Sequence, residues 1–217
     1  MLMRLARAPC AGTKPENTQE TENVDMPHHD SAEDLLVIVD FQNVYLPGKP
    51  WACPTMEQAM ANTVKIVKSP YAPEYVLTRF AAPENPVGCW VTYNGTYADI
   101  NADAFLCGFP DAIKEIAAED RVIVKSTYSS MDSQQLLALA TGRKRIVLAG
   151  VVAECCVLAT MMDAMDLGYE VVYLYDCISG CTAEYEQSIR ALAEMFSPVH
   201  TRVLSSGEYL QQISPEQ

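Results

Sequence analysis

Between residues 35 and 205 short apolar runs alternate with segments whose apolar positions recur at helical spacing. The runs LLVIVDF (35–41), EYVLTRF (74–80), RVIVKS (121–126), RIVLAG (145–150), YEVVYLYD (169–176) and HTRVLS (200–205) have the length and β-branched content of buried strands. TMEQAMANTVKIV (55–67) reads as a helix with Thr55 and Gln58 placed as a capping box. DSQQLLALATG (132–142) reads as another, with Asp132 as its cap and Gly142 as its stop. Apolar or small side chains at 153, 156, 157, 160, 161, 164 and 167 form the stripe of a helix lying on a sheet, which Gly168 ends. TAEYEQSIRALAEMF (182–196) is a further helix. Strands alternating with amphipathic helices predict a parallel sheet covered on both faces.

Residues 81–110, with Pro, Gly and aromatics but no clear period, read as a long loop. Residues 1–33 are polar and aperiodic and read as a mobile leader, followed by one domain over 34–217. His28 and His29 fall in that leader, where they have no evident metal-binding partners.

The chain of 217 residues suits one α/β domain with a substantial core. A net charge of -13 argues against nucleic acid and anionic membranes, which call for a basic face. No apolar run reaches the ~20 residues a bilayer span requires. The eight cysteines are spread through apolar segments rather than spaced along a small loop-rich scaffold, and the N-terminus has no continuous apolar stretch of signal-peptide type. The expectation is a cytoplasmic protein with reduced thiols.

In such sheets the active site lies at the carboxyl ends of the strands. The first strand ends at Asp40, the third at Lys125, and the fourth at Gly150, just before Cys155 and Cys156. Each has an ordinary structural reading: a turn cap, a solvated charge, a small core residue. Their joint placement on one rim is the informative feature. A thiol attacks as thiolate, which an ammonium and a helix start both favour. His200, at the start of the last strand, is poorly placed to act as base, so Asp40 is the candidate proton acceptor. No C-x-x-C, G-x-G-x-x-G or G-x-x-x-x-G-K-[ST] pattern occurs, which sets aside zinc-ribbon, redox-motif and nucleotide-binding readings.

VDFQNVYL, VKSTYSSM and AGVVAECCVLATMMDAMDLGYEV resemble, in order, the D-x-Q-N-x-F/Y, K-x-x-Y-S-x-F and G-V-x-[TA]-x-x-C-V-x-x-T-x-x-D-A-x-x-x-G-Y/F segments of the isochorismatase-like cysteine hydrolases. The resemblance covers about 35–205 and implies a three-layer α/β/α fold with a six-stranded parallel sheet in order 3-2-1-4-5-6. It implies Asp40, Lys125 and Cys156 as the catalytic residues, with Cys156 rather than Cys155 as nucleophile. It also implies a cis peptide between Val151 and Val152, and an oxyanion hole from the N–H groups of Val152 and Cys156. Cys155 is expected to be a packing residue, turned about 100° from its neighbour by helix geometry.

The implied activity is cleavage of a C–N bond in a small amide, carbamoyl or ureido substrate through a thioester. The alternatives are isochorismatase-type hydrolysis of another bond, or a non-catalytic binding or assembly role. Phe80, Trp90, Tyr93 and Tyr97 are candidates to stack on a planar substrate, and Arg79 to pair with a substrate carboxylate. The histidines that bind metal in nicotinamidases are missing from PGKPWACPTME and TRFAAPENPVGCW, so neither metal nor other cofactor is expected. By the same resemblance the expected partners are a small-molecule substrate and further copies of the chain, as a dimer or tetramer.

Overall fold

The computed structural model describes residues 29–214. The leader expected over 1–33 therefore lies outside the described residues as far as residue 28, including His28. Its last residues pack on the domain: the His29 N–H donates to the Gln212 carbonyl at 3.1 Å, its ring lies 2.9 Å from Asp34, and Ser31–Glu33 form a short 3-10 turn capped by Asp30.

Six strands form the sheet: β1 (Asp34–Val39), β2 (Glu74–Phe80), β3 (Val122–Lys125), β4 (Arg145–Val151), β5 (Glu170–Ser179) and β6 (Thr201–Leu204). All five pairings are parallel and the order is β3-β2-β1-β4-β5-β6. The helices are α1 (Met56–Val67), α2 (Cys89–Thr96), α3 (Ala98–Ala102), α4 (Asp111–Lys114), α5 (Gln134–Ala140), α6 (Leu158–Asp166), α7 (Ala183–Phe196) and α8 (Ser206–Ile213).

The pleat of β1 divides the interior into two cores, because successive side chains point to opposite faces. Leu36 and Ile38 face Met56, Ala59, Met60 and Ile66 of α1, Ile113 of α4 and Tyr209 and Ile213 of α8. Leu35, Val37 and Val39 face Leu136 and Ala140 of α5, Met161 and Ala164 of α6 and Ile189 and Ala193 of α7. Both faces are covered, which is why β1 and β4 read as continuous apolar runs rather than as alternation. None of the described helices is long and apolar enough to cross a membrane.

Several local expectations are corrected. The segment 81–110 contains α2 and α3. None of the residues of α2 is buried, so no apolar period marks it; ring contacts between Trp90 and Tyr93 (5.1 Å) and between Tyr93 and Tyr97 (5.0 Å) run along it instead. Thr55 precedes α1 without capping it: its hydroxyl lies 2.6 Å from Ser179 Oγ and donates to Glu186 at 2.8 Å, while Gln58 donates to Asn62. Ser133, not Asp132, caps α5, accepting from the Leu136 N–H at 3.3 Å. β5 continues to Ser179, beyond the apolar run that marks its start. The helix expected from 153 begins as a π turn over Ala153–Val157, in which the Val157 N–H reaches the Val152 carbonyl at 3.2 Å.

Gly150 shows how closely the site strands approach. It pairs with Val39 at φ +123°, and a Cβ there would lie 2.1 Å from the Val39 carbonyl oxygen. A side chain at this position would push β4 away from β1 at the end that carries the chemistry.

Candidate active site

β1, β3 and β4 end on the same rim, and the three residues expected there come together. Asp40 follows β1 at φ 50° and is fully buried. Its Oδ1 accepts a hydrogen bond from Thr78 Oγ1 at 2.7 Å. Its Oδ2 lies 2.7 Å from Lys125 Nζ. That contact is an ion pair without the direction of a hydrogen bond, so Oδ2 has no directed donor. Lys125 Nζ spends two hydrogens on the carbonyls of Thr127 and Tyr128, each at 3.0 Å, and stands 5.5 Å over the Phe80 ring. Burial alone would lower the lysine's pKa, but Asp40 and then Cys156 outweigh it, and the pKa is raised. Lys125 is thus held as a cation.

Cys156 is the fourth residue of the π turn, and the charges of Asp40 and Lys125 both act on its thiol. Burial pushes the thiol far above its ordinary value. Asp40 pushes it further up, and Lys125 only partly opposes them. Desolvation and the Asp40 charge thus favour the protonated thiol, which is the proton donor that Asp40 as acceptor calls for. The peptide between Val151 and Val152 is cis, as expected.

Residues whose role the chain alone did not reveal hold these groups in place. Gln42 Nε2 donates to the carbonyls of Phe80 (3.0 Å) and Cys107 (2.9 Å), and its Oε1 accepts the Phe80 N–H at 2.9 Å. Asn43 donates to the Phe105 carbonyl at 2.8 Å. Thr160 Oγ1 donates to the Cys156 carbonyl at 2.7 Å and accepts the Ser130 N–H at 2.9 Å, linking the cysteine turn to the segment after Lys125. The polar letters of the three motifs are thus largely the ties between site elements.

Above Cys156 opens a cleft of about 450 Å³. Tyr93 and Tyr97, two of the candidates to stack on substrate, line it with Val152, Tyr45, Pro50, Trp51, Ala52, Tyr128, Cys155 and Cys181. Phe80 and Trp90 do not. Phe80 is buried beneath Lys125 and packs on Trp90 (6.1 Å) and Tyr93 (5.9 Å), while Trp90 supports Tyr93 and Tyr128 from behind. Arg79 is not part of the cleft wall. Cys155 does belong to the wall, beside Cys156. The aromatic contributions of Tyr45 and Trp51, from the segment before α1, were hidden in the sequence because their packing partner, α2, was itself unmarked. Among the described residues no group of three or more His, Cys, Asp or Glu side chains has an arrangement that would hold a metal ion.

Comparison with known proteins agrees with this fold. The profile of the isochorismatase domain matches residues 34–202. No curated protein matches the chain. Among solved structures, a cysteine hydrolase from Pseudomonas syringae pv. phaseolicola 1448A is similar with a TM-score of 0.71 at 14% identity, covering 85% of this chain and 94% of that one. PnC1 from L. infantum in complex with nicotinate is similar with a TM-score of 0.64 at 23% identity, covering 83% and 96%. The pyrazinamidase of Pyrococcus horikoshii in complex with zinc is similar with a TM-score of 0.57 at 25% identity, covering 80% and 99%.

Proposed function

The chain belongs to the isochorismatase domain family, and from that premise we propose that it is a cysteine hydrolase that cleaves the C–N bond of a small amide, carbamoyl or ureido substrate through a thioester on Cys156. One observation carries this reading: an ion-paired carboxylate and ammonium meet a buried thiol beneath a cleft large enough for a small molecule.

The chemistry follows from the protonation states. Cys156 rests as a thiol, so attack requires a base. Asp40 Oδ2, which has no directed hydrogen-bond donor, takes the Sγ proton as sulfur bonds to the substrate carbonyl carbon. The N–H groups of Val152 and Cys156 hold the oxyanion; a donor of this kind is typically worth about 100- to 1000-fold in rate. Collapse of the adduct breaks the C–N bond, and Asp40 returns the proton to the leaving nitrogen. The carboxylate then draws a proton from the water that attacks the thioester, the acid departs, and the thiol is restored. Lys125 stays charged throughout. It orients Asp40 and lowers the cost of each thiolate state without giving up a proton.

The residues around the triad do not supply a three-ligand metal set, and the scheme routes no step through an ion.

The test is a panel of amides, carbamoyl compounds and ureido acids assayed for release of ammonia or amine, with acid quench during turnover. The expected result is release from at least one member and an acyl adduct on Cys156 by mass spectrometry. Turnover that persists in Asp40→Asn with no adduct ever trapped would overturn the covalent scheme.

A further inference from the structure

Among the cleft-lining residues none carries a formal charge at neutral pH. Selection inside the cleft must therefore be made by neutral groups. Tyr45 stands apart from the other phenols there: its residue is only 6% exposed, whereas Tyr128 is 45% exposed. Tyr45 belongs to the turn Asn43–Tyr45 that the Asp40–Gln42 corner leads into, and its ring packs on Trp51 at 5.9 Å. Among the described residues no protein group hydrogen-bonds its hydroxyl, although the oxygen is not sealed from the cleft. Water can serve this hydroxyl while the cleft is open, but a ligand that displaces the water without accepting the hydrogen leaves the donor unpaired at a cost. Burial first, then the Cys156 and Asp40 charges, raise its pKa well above the ordinary phenol value, so it stays a donor.

We propose that the Tyr45 hydroxyl is a specificity-determining group that donates a hydrogen bond to an uncharged acceptor atom on the acyl portion of the substrate. The inference rests on the hydrolase reading of the same site and adds the selection rule. An acyl group with a ring nitrogen, ether or carbonyl oxygen within reach of Tyr45 is accepted; its hydrocarbon isostere leaves the phenol desolvated and unpaired and is rejected. Leaving one buried donor unpaired corresponds to a discrimination of roughly 10- to 100-fold. With a phenyl ring in its place there is nothing to leave unpaired.

The three pyridinecarboxamides and benzamide provide an isosteric set. In the native enzyme at least one pyridinecarboxamide should exceed benzamide in kcat/KM by roughly 10- to 100-fold. In Tyr45→Phe that ratio should fall to within about threefold, with a gain for benzamide, whose complex no longer strands a donor, and a loss for the pyridine substrate. The same preference should appear in Kd measured by calorimetry on Cys156→Ala, where no turnover is needed. Tyr45→Phe should melt at the native temperature or higher, since the hydroxyl has no protein partner to lose. An unchanged ratio in Tyr45→Phe, an equal or undetectable affinity of Cys156→Ala for all four amides, or a lowered melting temperature would each overturn the proposal. Preferential binding without any turnover would instead remove the hydrolase reading and leave the Tyr45 inference standing.

Discussion

Asp40 Oδ2 and Lys125 Nζ lie 2.7 Å apart, with side chains 0% and 3% exposed. An ion pair so enclosed is weak evidence for stability in itself, because taking both charges out of water offsets most of their attraction. Its consequence is asymmetric: either charge alone in that position is very costly. The pair therefore constrains what can replace Lys125, and it sets the electrostatics that Cys156 meets.

Lys125→Met should lower stability by about 3–5 kcal/mol, as breaking a buried pair typically does, and should abolish turnover. Lys125→Arg keeps the charge and should retain the fold with a smaller loss of rate, limited by the fit of a planar guanidinium. Urea unfolding and kcat measured together check both. Equal behaviour of the two variants would mean that the charge is not what matters.

The pH dependence follows from the direction of the Cys156 shift. Its pKa lies above the ordinary 9.0, so the thiolate fraction at neutral pH is below that of a free cysteine. Alkylation by iodoacetamide should therefore be slow at pH 7 and rise about tenfold per pH unit, with no plateau as pH passes 9. Stability runs the other way. Above the unfolded pKa the unfolded chain releases a thiol proton that the native state keeps, so this group's contribution falls as pH rises. A plateau of alkylation below pH 8 would show a resting ion pair instead.

The adjacent cysteines should separate cleanly. Cys156→Ala is expected to eliminate turnover and acyl adduct. Cys155→Ala should keep kcat within a few fold, but, because Cys155 lines the cleft, it should shift KM. Steady-state kinetics with mass spectrometry of the quenched enzyme distinguishes the two. Loss of the adduct in Cys155→Ala alone would move the nucleophile by one residue.

Activity should persist after prolonged dialysis against a chelator, since the described residues offer no three-ligand cluster. Atomic absorption on the dialysed protein, alongside its rate of ammonia release, makes the comparison. A rate lost on dialysis and restored by a divalent ion would require a metal-dependent scheme.

The strands, their parallel arrangement and the candidate triad were legible in the chain because each has a local signature. β1 and β4 are unbroken apolar runs, and Asp40, Lys125 and Cys156 stand just where such runs end. The family resemblance also implied the cis bond at Val151–Val152. The tertiary structure alone decided what surrounds these residues. Whether Phe80 faces substrate or lies beneath Lys125, and whether Tyr45 and Trp51 reach the cleft, depend on side chains far apart in sequence meeting above the sheet. α2 escaped notice because a helix with no buried face leaves no apolar period to read. The burial of Cys156 was hidden for a related reason. The lysine and the turn are visible in the sequence, but the burial that outweighs them exists only once the chain has closed around the thiol.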